Sequence, residues 1–154
     1  MFDDLASLYQ DIVLRHSRTP THRRTLDPCD ARAQGDNPLC SDRVDVQVNF
    51  TTDGSIADCA FTAKGCAISV ASADMMAECL LGLRPDQVHK LHENVRALVR
   101  TGDISHTPEN LPELRALSGV SDYKSRIKCA ILPWAALIAA LDGRPHTTSE
   151  GLTP

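Results

Sequence analysis

Three cysteines and one aspartate in this 154-residue chain are of the right types for metal or sulfur chemistry. Cys40 closes the turn-rich stretch DNPLCSD, and Asp42 follows two positions later. Residues two apart in an extended segment point to one side, so this thiol and this carboxylate share a face. Cys66 follows Gly65 where a strand pattern gives way to a helix pattern. Cys129 lies early in the last helix pattern, flanked by Arg126 and Lys128. A helix start and nearby cations both favour thiolate, the form that binds metal and attacks sulfur. Cys40, Asp42, Cys66 and Cys129 together offer three sulfurs and one oxygen, a set suited to tetrahedral zinc. The thiols are 26 and 63 positions apart with no CxxC pair among them, so spacing alone leaves three unrelated cysteines as the other reading.

Several elements must position these residues. Leu5, Leu8, Ile12 and Val13 mark an amphipathic helix over residues 3–15. Residues 17–39 hold Pro20, Pro28, Gly35 and Pro38 and read as a long irregular segment, with a weakly signalled strand near 24–32. RVDVQVNF (43–50) alternates as a half-buried strand, TDGS (52–55) signals a hairpin turn, and 55–65 is the return strand, with Ala57, Cys59 and Phe61 inward. Residues 67–83 carry a helical apolar stripe of Ile68, Ala71, Met75, Met76, Cys79, Leu80 and Leu83. Pro85 opens a helix to about Val99 that buries Val88, Leu91, Val95 and Leu98. Residues 101–121 read as a polar insertion with one helical turn at 112–117. The last helix spans Tyr123 to Leu141; Pro133 cannot donate to the Cys129 carbonyl, which should loosen it beside the site, and Trp134 reads as a core anchor. The order implies an α+β fold, a small antiparallel β-sheet with helices packed on one face, in a single domain over 1–142 with a frayed tail over 143–154.

Composition narrows the function. A net charge of −4 argues against general nucleic-acid binding. The basic run RHSRTPTHRR (15–24) is either a surface for an acidic partner or a solvated segment. No basic region leads into an apolar stretch at the start, and the longest apolar run, 130–141, falls short of the roughly 18 residues of a membrane span. A cytoplasmic protein is expected, with no membrane partner. In that setting six cysteines point to metal or redox chemistry rather than disulfides. Cys59 and Cys79 fit core positions, and Cys29 has no assigned role. His89 and His92 lie three apart on a helix, a solvated pair more readily than a metal pair.

Four stretches then carry a resemblance: LYQDIVLRHSRTPTHRRTL, GDNPLCSD, KGCAIS and SRIKCAILPW. In this order, over roughly residues 2–142, the chain resembles the U-type iron–sulfur cluster assembly proteins, the IscU and NifU N-terminal fold. Lys128 where scaffold members carry His, and the 101–121 insertion, resemble the SufU branch. The resemblance implies that Cys40, Asp42, Cys66 and Cys129 bind zinc. It implies that Cys40 accepts sulfur from a SufS-type cysteine desulfurase for a downstream cluster-assembly scaffold, with Arg126 and Lys128 beside the reacting thiol. It also implies that His16 and Pro20 position the N-terminal segment. Activity of this kind is sulfurtransferase-like and exercised together with the desulfurase. The alternatives are a scaffold that builds an iron–sulfur cluster on Cys40, Cys66 and Cys129, and a structural zinc module. A zinc hydrolase would need a general base, and Glu78 and Glu93 show no motif for one. One departure is Ser41, where the family has Gly between Cys and Asp; Gly there would allow positive φ.

Overall fold

The computed structural model describes residues 2–38, 41–109 and 111–148, with side chains from Tyr9 onward. Helix α1 (Phe2–Arg18) is followed by strands β1 (Ala31–Asn37), β2 (Asp42–Phe50) and β3 (Ile56–Lys64). Helices α2 (Ala67–Cys79) and α3 (Pro85–Thr101), two 3-10 segments (Ile104–His106 and Pro112–Asp122), α4 (Lys124–Leu141) and a short β4 (His146–Thr148) complete the chain. The sheet order is β3-β2-β1-β4. The first three strands are antiparallel, and β4 lies parallel to β1. The expected architecture of helices on a small sheet holds. The sheet differs from a purely antiparallel one because the segment after Gly143, expected to fray, supplies β4.

The first strand also lies later than the 24–32 expectation. Its inward residues are Ala31, Ala33, Gly35 and Asn37, all small or polar, because α4 comes very close. A Cβ on Gly35 would stand 3.1 Å from Leu132 Cδ1 and 3.3 Å from Ala136 Cβ. On β2, Val44, Val46 and Val48 point into the core as their alternation requires. On β3 the alternation slips: Phe50 pairs with Ile56 while Asn49 pairs with Asp58. This bulge turns Ile56 inward and leaves Ala57 exposed, which corrects the inward reading of Ala57. Cys59 and Phe61 are buried as expected.

Helix α2 sits at the centre. Every residue from Ser69 to Ala77 is buried, because β3, α1 and α4 all pack against it. It is therefore a helix covered on all sides rather than one with a single apolar stripe. Its polar residues must find partners inside the protein. Ser72 Oγ donates to the Ala130 carbonyl at 2.6 Å and accepts from Trp134 Nε1 at 3.1 Å. Trp134 is fully buried, the core anchor its sequence suggested. The 101–121 stretch is less polar in space than in sequence. Leu114, Ala116, Leu117 and Val120 are buried, and the Pro112–Asp122 segment packs on α1 and α3. Among the described residues no helix is long and apolar enough to cross a membrane.

A candidate metal centre at the end of the sheet

Asp42 begins β2, Cys66 is the N-cap of α2, and Cys129 lies in the second turn of α4. Each has one ligand atom within 4.8 Å of the others'. Asp42 and Cys129 are buried and Cys66 is half-buried. Three of the four residues singled out in the sequence thus converge. The fourth, Cys40, lies outside the described residues.

The approach of these elements depends on a missing side chain. A Cβ on Gly65 would lie 2.6 Å from both Cγ and Oδ1 of Asp42, closer than real contacts allow. Glycine at 65 lets the end of β3 pass over the Asp42 carboxylate. Ser69, one turn into α2, then fixes that carboxylate. Its Oγ is 2.7 Å from Asp42 Oδ2 and 3.2 Å from the Cys129 carbonyl oxygen, and Cys66 Sγ is 3.8 Å away. The Cys129 carbonyl is the one that Pro133 leaves without an intrahelical donor. The helix remains continuous there, and a serine from another helix meets the freed acceptor.

Charges in the cluster follow from these contacts. Burial works against the charged Asp42 carboxylate, but hydrogen bonds from Ser69, Cys129 and Cys66 outweigh it and hold its pKa below the usual value. Cys66 is lowered to about 5, chiefly because its sulfur accepts a hydrogen bond from Cys129. Cys129 is pushed up for the same reason, with burial next. The two thiols therefore titrate as a pair, and the hydrogen bond between them favours a thiolate at Cys66. Arg126, exposed on the first turn of α4, lies against Cys66 and then Cys129, and their sulfurs raise its own pKa. Lys128 is half-buried beside Cys129 in the chain. By contrast, burial pushes Cys59 and Cys79 up to about 12, as suits thiols that serve as core side chains.

The donor set fits zinc. Two thiol sulfurs with one carboxylate suit that ion. Zn–S bonds of about 2.3 Å put tetrahedral sulfurs roughly 3.8 Å apart, within reach of the present spacing. Ser69 supplies the outer hydrogen bond that orients a ligating carboxylate.

Ser41 answers to the same loop. Its φ is +63°, so this position takes the left-handed conformation that favours glycine. Its N–H donates to the Asn37 carbonyl at 3.0 Å, closing the turn between β1 and β2. Ser41→Gly is expected to leave zinc content unchanged and to relieve strain of up to about 1 kcal/mol, less what glycine costs in chain entropy. Urea unfolding of the two zinc-loaded proteins checks it; a clear loss of stability in the glycine variant would contradict the strain.

The model of the NifU-like N terminal domain matches residues 8–130, most of the chain. The chain belongs to the NifU-like N-terminal domain family. Its relatives include the iron–sulfur cluster assembly scaffold protein IscU of Streptococcus pyogenes serotype M1, 36% identical over 89% of this chain and 84% of that protein. They also include the zinc-dependent sulfurtransferase SufU of Bacillus subtilis strain 168, 30% identical over 87% of this chain and 89% of that one. The crystal structure of the N-terminal part of a nitrogen-fixing NifU-like protein from Brucella abortus shares the fold, with a TM-score of 0.76 at 22% identity, over 90% of this chain and 94% of that chain. U-type relatives of both kinds, and the NifU-like N-terminal fold itself, agree with the membership the four sequence stretches implied.

Within this NifU-like N-terminal fold, Gly65, Ser69 and Asp74 were not singled out in the sequence. Ser69 and Asp74 left a signal. They are polar residues inside the run AISVASADMMA, where a wholly buried helix forces them to have partners. His16 is such a partner, its Nδ1 2.7 Å from Asp74 Oδ2. It holds the N-terminal segment in place as expected of it. The basic run around it is largely engaged. Arg15 pairs with Glu113, Arg23 donates to the Ala63 carbonyl and Arg24 pairs with Asp58. His89 faces Asp142 at 3.7 Å, and burial lowers His92 to about 4.

Proposed function

We propose that this protein is a zinc-dependent sulfur acceptor in iron–sulfur cluster assembly, working with a SufS-type cysteine desulfurase. The observation that carries the reading is the Asp42–Cys66–Cys129 cluster beside Arg126. The name of the Bacillus subtilis relative, a zinc-dependent sulfurtransferase, supports it. Asp42, Cys66 and Cys129 hold zinc with Cys40 as the fourth ligand. Bound zinc keeps the thiols deprotonated and adds its binding free energy to the stability of the loops.

Sulfur arrives as a persulfide on the desulfurase cysteine. The Cys40 thiolate attacks the outer sulfur, one S–S bond forms as another breaks, and the desulfurase cysteine leaves as thiolate. No net oxidation occurs, and Cys40 carries the persulfide onward to a downstream assembly scaffold. Arg126 and Lys128 oppose the negative charge that gathers around the reacting sulfurs. The Asp42 carboxylate is a harder donor than thiolate, so the site is less inert than one of four cysteines.

A second reading rests on the Streptococcus pyogenes relative, named as a cluster assembly scaffold. There an iron–sulfur cluster is the cargo, built on Cys40, Cys66 and Cys129. Desulfurase turnover with and without this protein, under reductant, separates the two. Strong stimulation is expected, and Cys40→Ser that still holds its metal should abolish it. No stimulation by the wild-type chain would favour the scaffold.

A further inference from the structure

A second convergence of ligand atoms lies apart from the thiols. Asp74 and Glu78 are one turn apart on α2 and share a face. His16 of α1 meets that face. Its Nδ1 is 2.7 Å from Asp74 Oδ2, and the other Asp74 oxygen accepts the His22 backbone N–H at 2.8 Å. Asp74 thereby keeps a proton on Nδ1, so that a cation arriving at Nε2 displaces only the proton carried there. The His16 side chain is only 7% exposed. Its Nε2 stands 3.5 Å from Glu113 Oε2 and has no hydrogen-bond partner among the described residues. His16, Glu78 and Glu113 each offer an atom within 4.8 Å of the others.

A carboxylate that fixes one imidazole nitrogen so that the other faces outward is the arrangement metal-binding histidines use. We propose that His16, Glu78 and Glu113 form a second metal site, for a divalent first-row ion such as manganese. One nitrogen and two carboxylates make a harder set than the thiol site and suit that ion better. Glu78 is exposed and gives the ion a way in from solvent. Arg15 also reaches Glu113, but its side chain is 59% exposed and an arriving cation displaces it into water. An ion here joins α1, α2 and the Pro112–Asp122 segment. It does not depend on the sulfur reading, because no donor is shared.

The test is a manganese titration of the full chain already carrying one zinc at its thiols, with free Mn2+ followed by electron paramagnetic resonance. One Mn2+ per chain is expected, together with a rise in Tm. Glu78→Gln, at an exposed position, should keep the fold and the zinc but bind Mn2+ at least tenfold more weakly, with no rise in Tm. Glu113→Gln should weaken binding similarly. No uptake by the wild-type chain, or equal uptake by Glu78→Gln, would show that the histidine holds only a proton and overturn the site.

Discussion

Gly65→Ala should cost the protein a tenfold to hundredfold loss of zinc affinity. The new Cβ would fall 2.6 Å from Cγ and Oδ1 of Asp42. Asp42 cannot simply swing away, because its carboxylate is buried and bonded to Ser69 at 2.7 Å. Either the carboxylate leaves the cluster or the end of β3 lifts from the start of β2. Disturbing a ligand's orientation typically costs about 10–100-fold in metal affinity, roughly 1.4–2.8 kcal/mol. That affinity is also folding stability, so Tm should fall in zinc-loaded protein and change less after zinc is removed. Competition with a chelator reads the affinity directly. Zinc held as tightly as in the wild-type chain would mean that Asp42 is not a ligand.

The largest loss of stability is expected from Asp74→Ala. Asp74 is 1% exposed, and its two oxygens serve His16 Nδ1 and the His22 N–H. Removing one partner of a buried ion pair commonly costs about 3–5 kcal/mol, since the other is left uncompensated. The effect depends on pH in a definite direction. The His16 pKa is raised, first by its hydrogen bond to Asp74, against burial and with help from Glu113. The folded state thus binds this proton more tightly than the unfolded one. The stabilisation is full below the ordinary value near 6.5 and is lost as pH rises through the raised value. The gap between wild type and Asp74→Ala should therefore narrow towards alkaline pH. Urea unfolding of both zinc-loaded proteins at two pH values, with no other divalent ion added, checks this. A gap that stays the same as pH rises would show His16 to be neutral in the native state.

Much of this protein is readable in its sequence where one physical rule dominates. The β2 valines alternate, the hairpin turn follows, and α3 shows its stripe because only one of its faces is buried. The rule fails at β1, whose inward residues are small because α4 approaches Gly35 so closely; close packing there erased the usual apolar alternation. It fails at Ala57 because a bulge shifts the register, and no single strand's pattern shows a bulge. At the site, the cysteines and Asp42 stand out by chemistry. Ser69 and Gly65 act through what they touch, or through what they leave room for, and both properties exist only once three elements have met. Asp74 is the instructive intermediate: a charge in an apolar run marks a buried partner without saying which.

The short β4 has a consequence for how this molecule keeps to itself. A sheet's outermost strand exposes free N–H and C=O groups that invite another chain to pair with it. Here β4 covers β1 at Gln34, Gly35 and Asp36, and His146 clamps it through Asp36 at 2.5 Å. At the opposite margin, the His22 carbonyl accepts the Phe61 N–H, so the irregular segment shields β3. Both margins of the sheet are thus guarded by pieces of chain that are hardly strands at all. The three residues of β4 thus take up backbone groups of β1 that would otherwise be free to recruit a neighbouring chain.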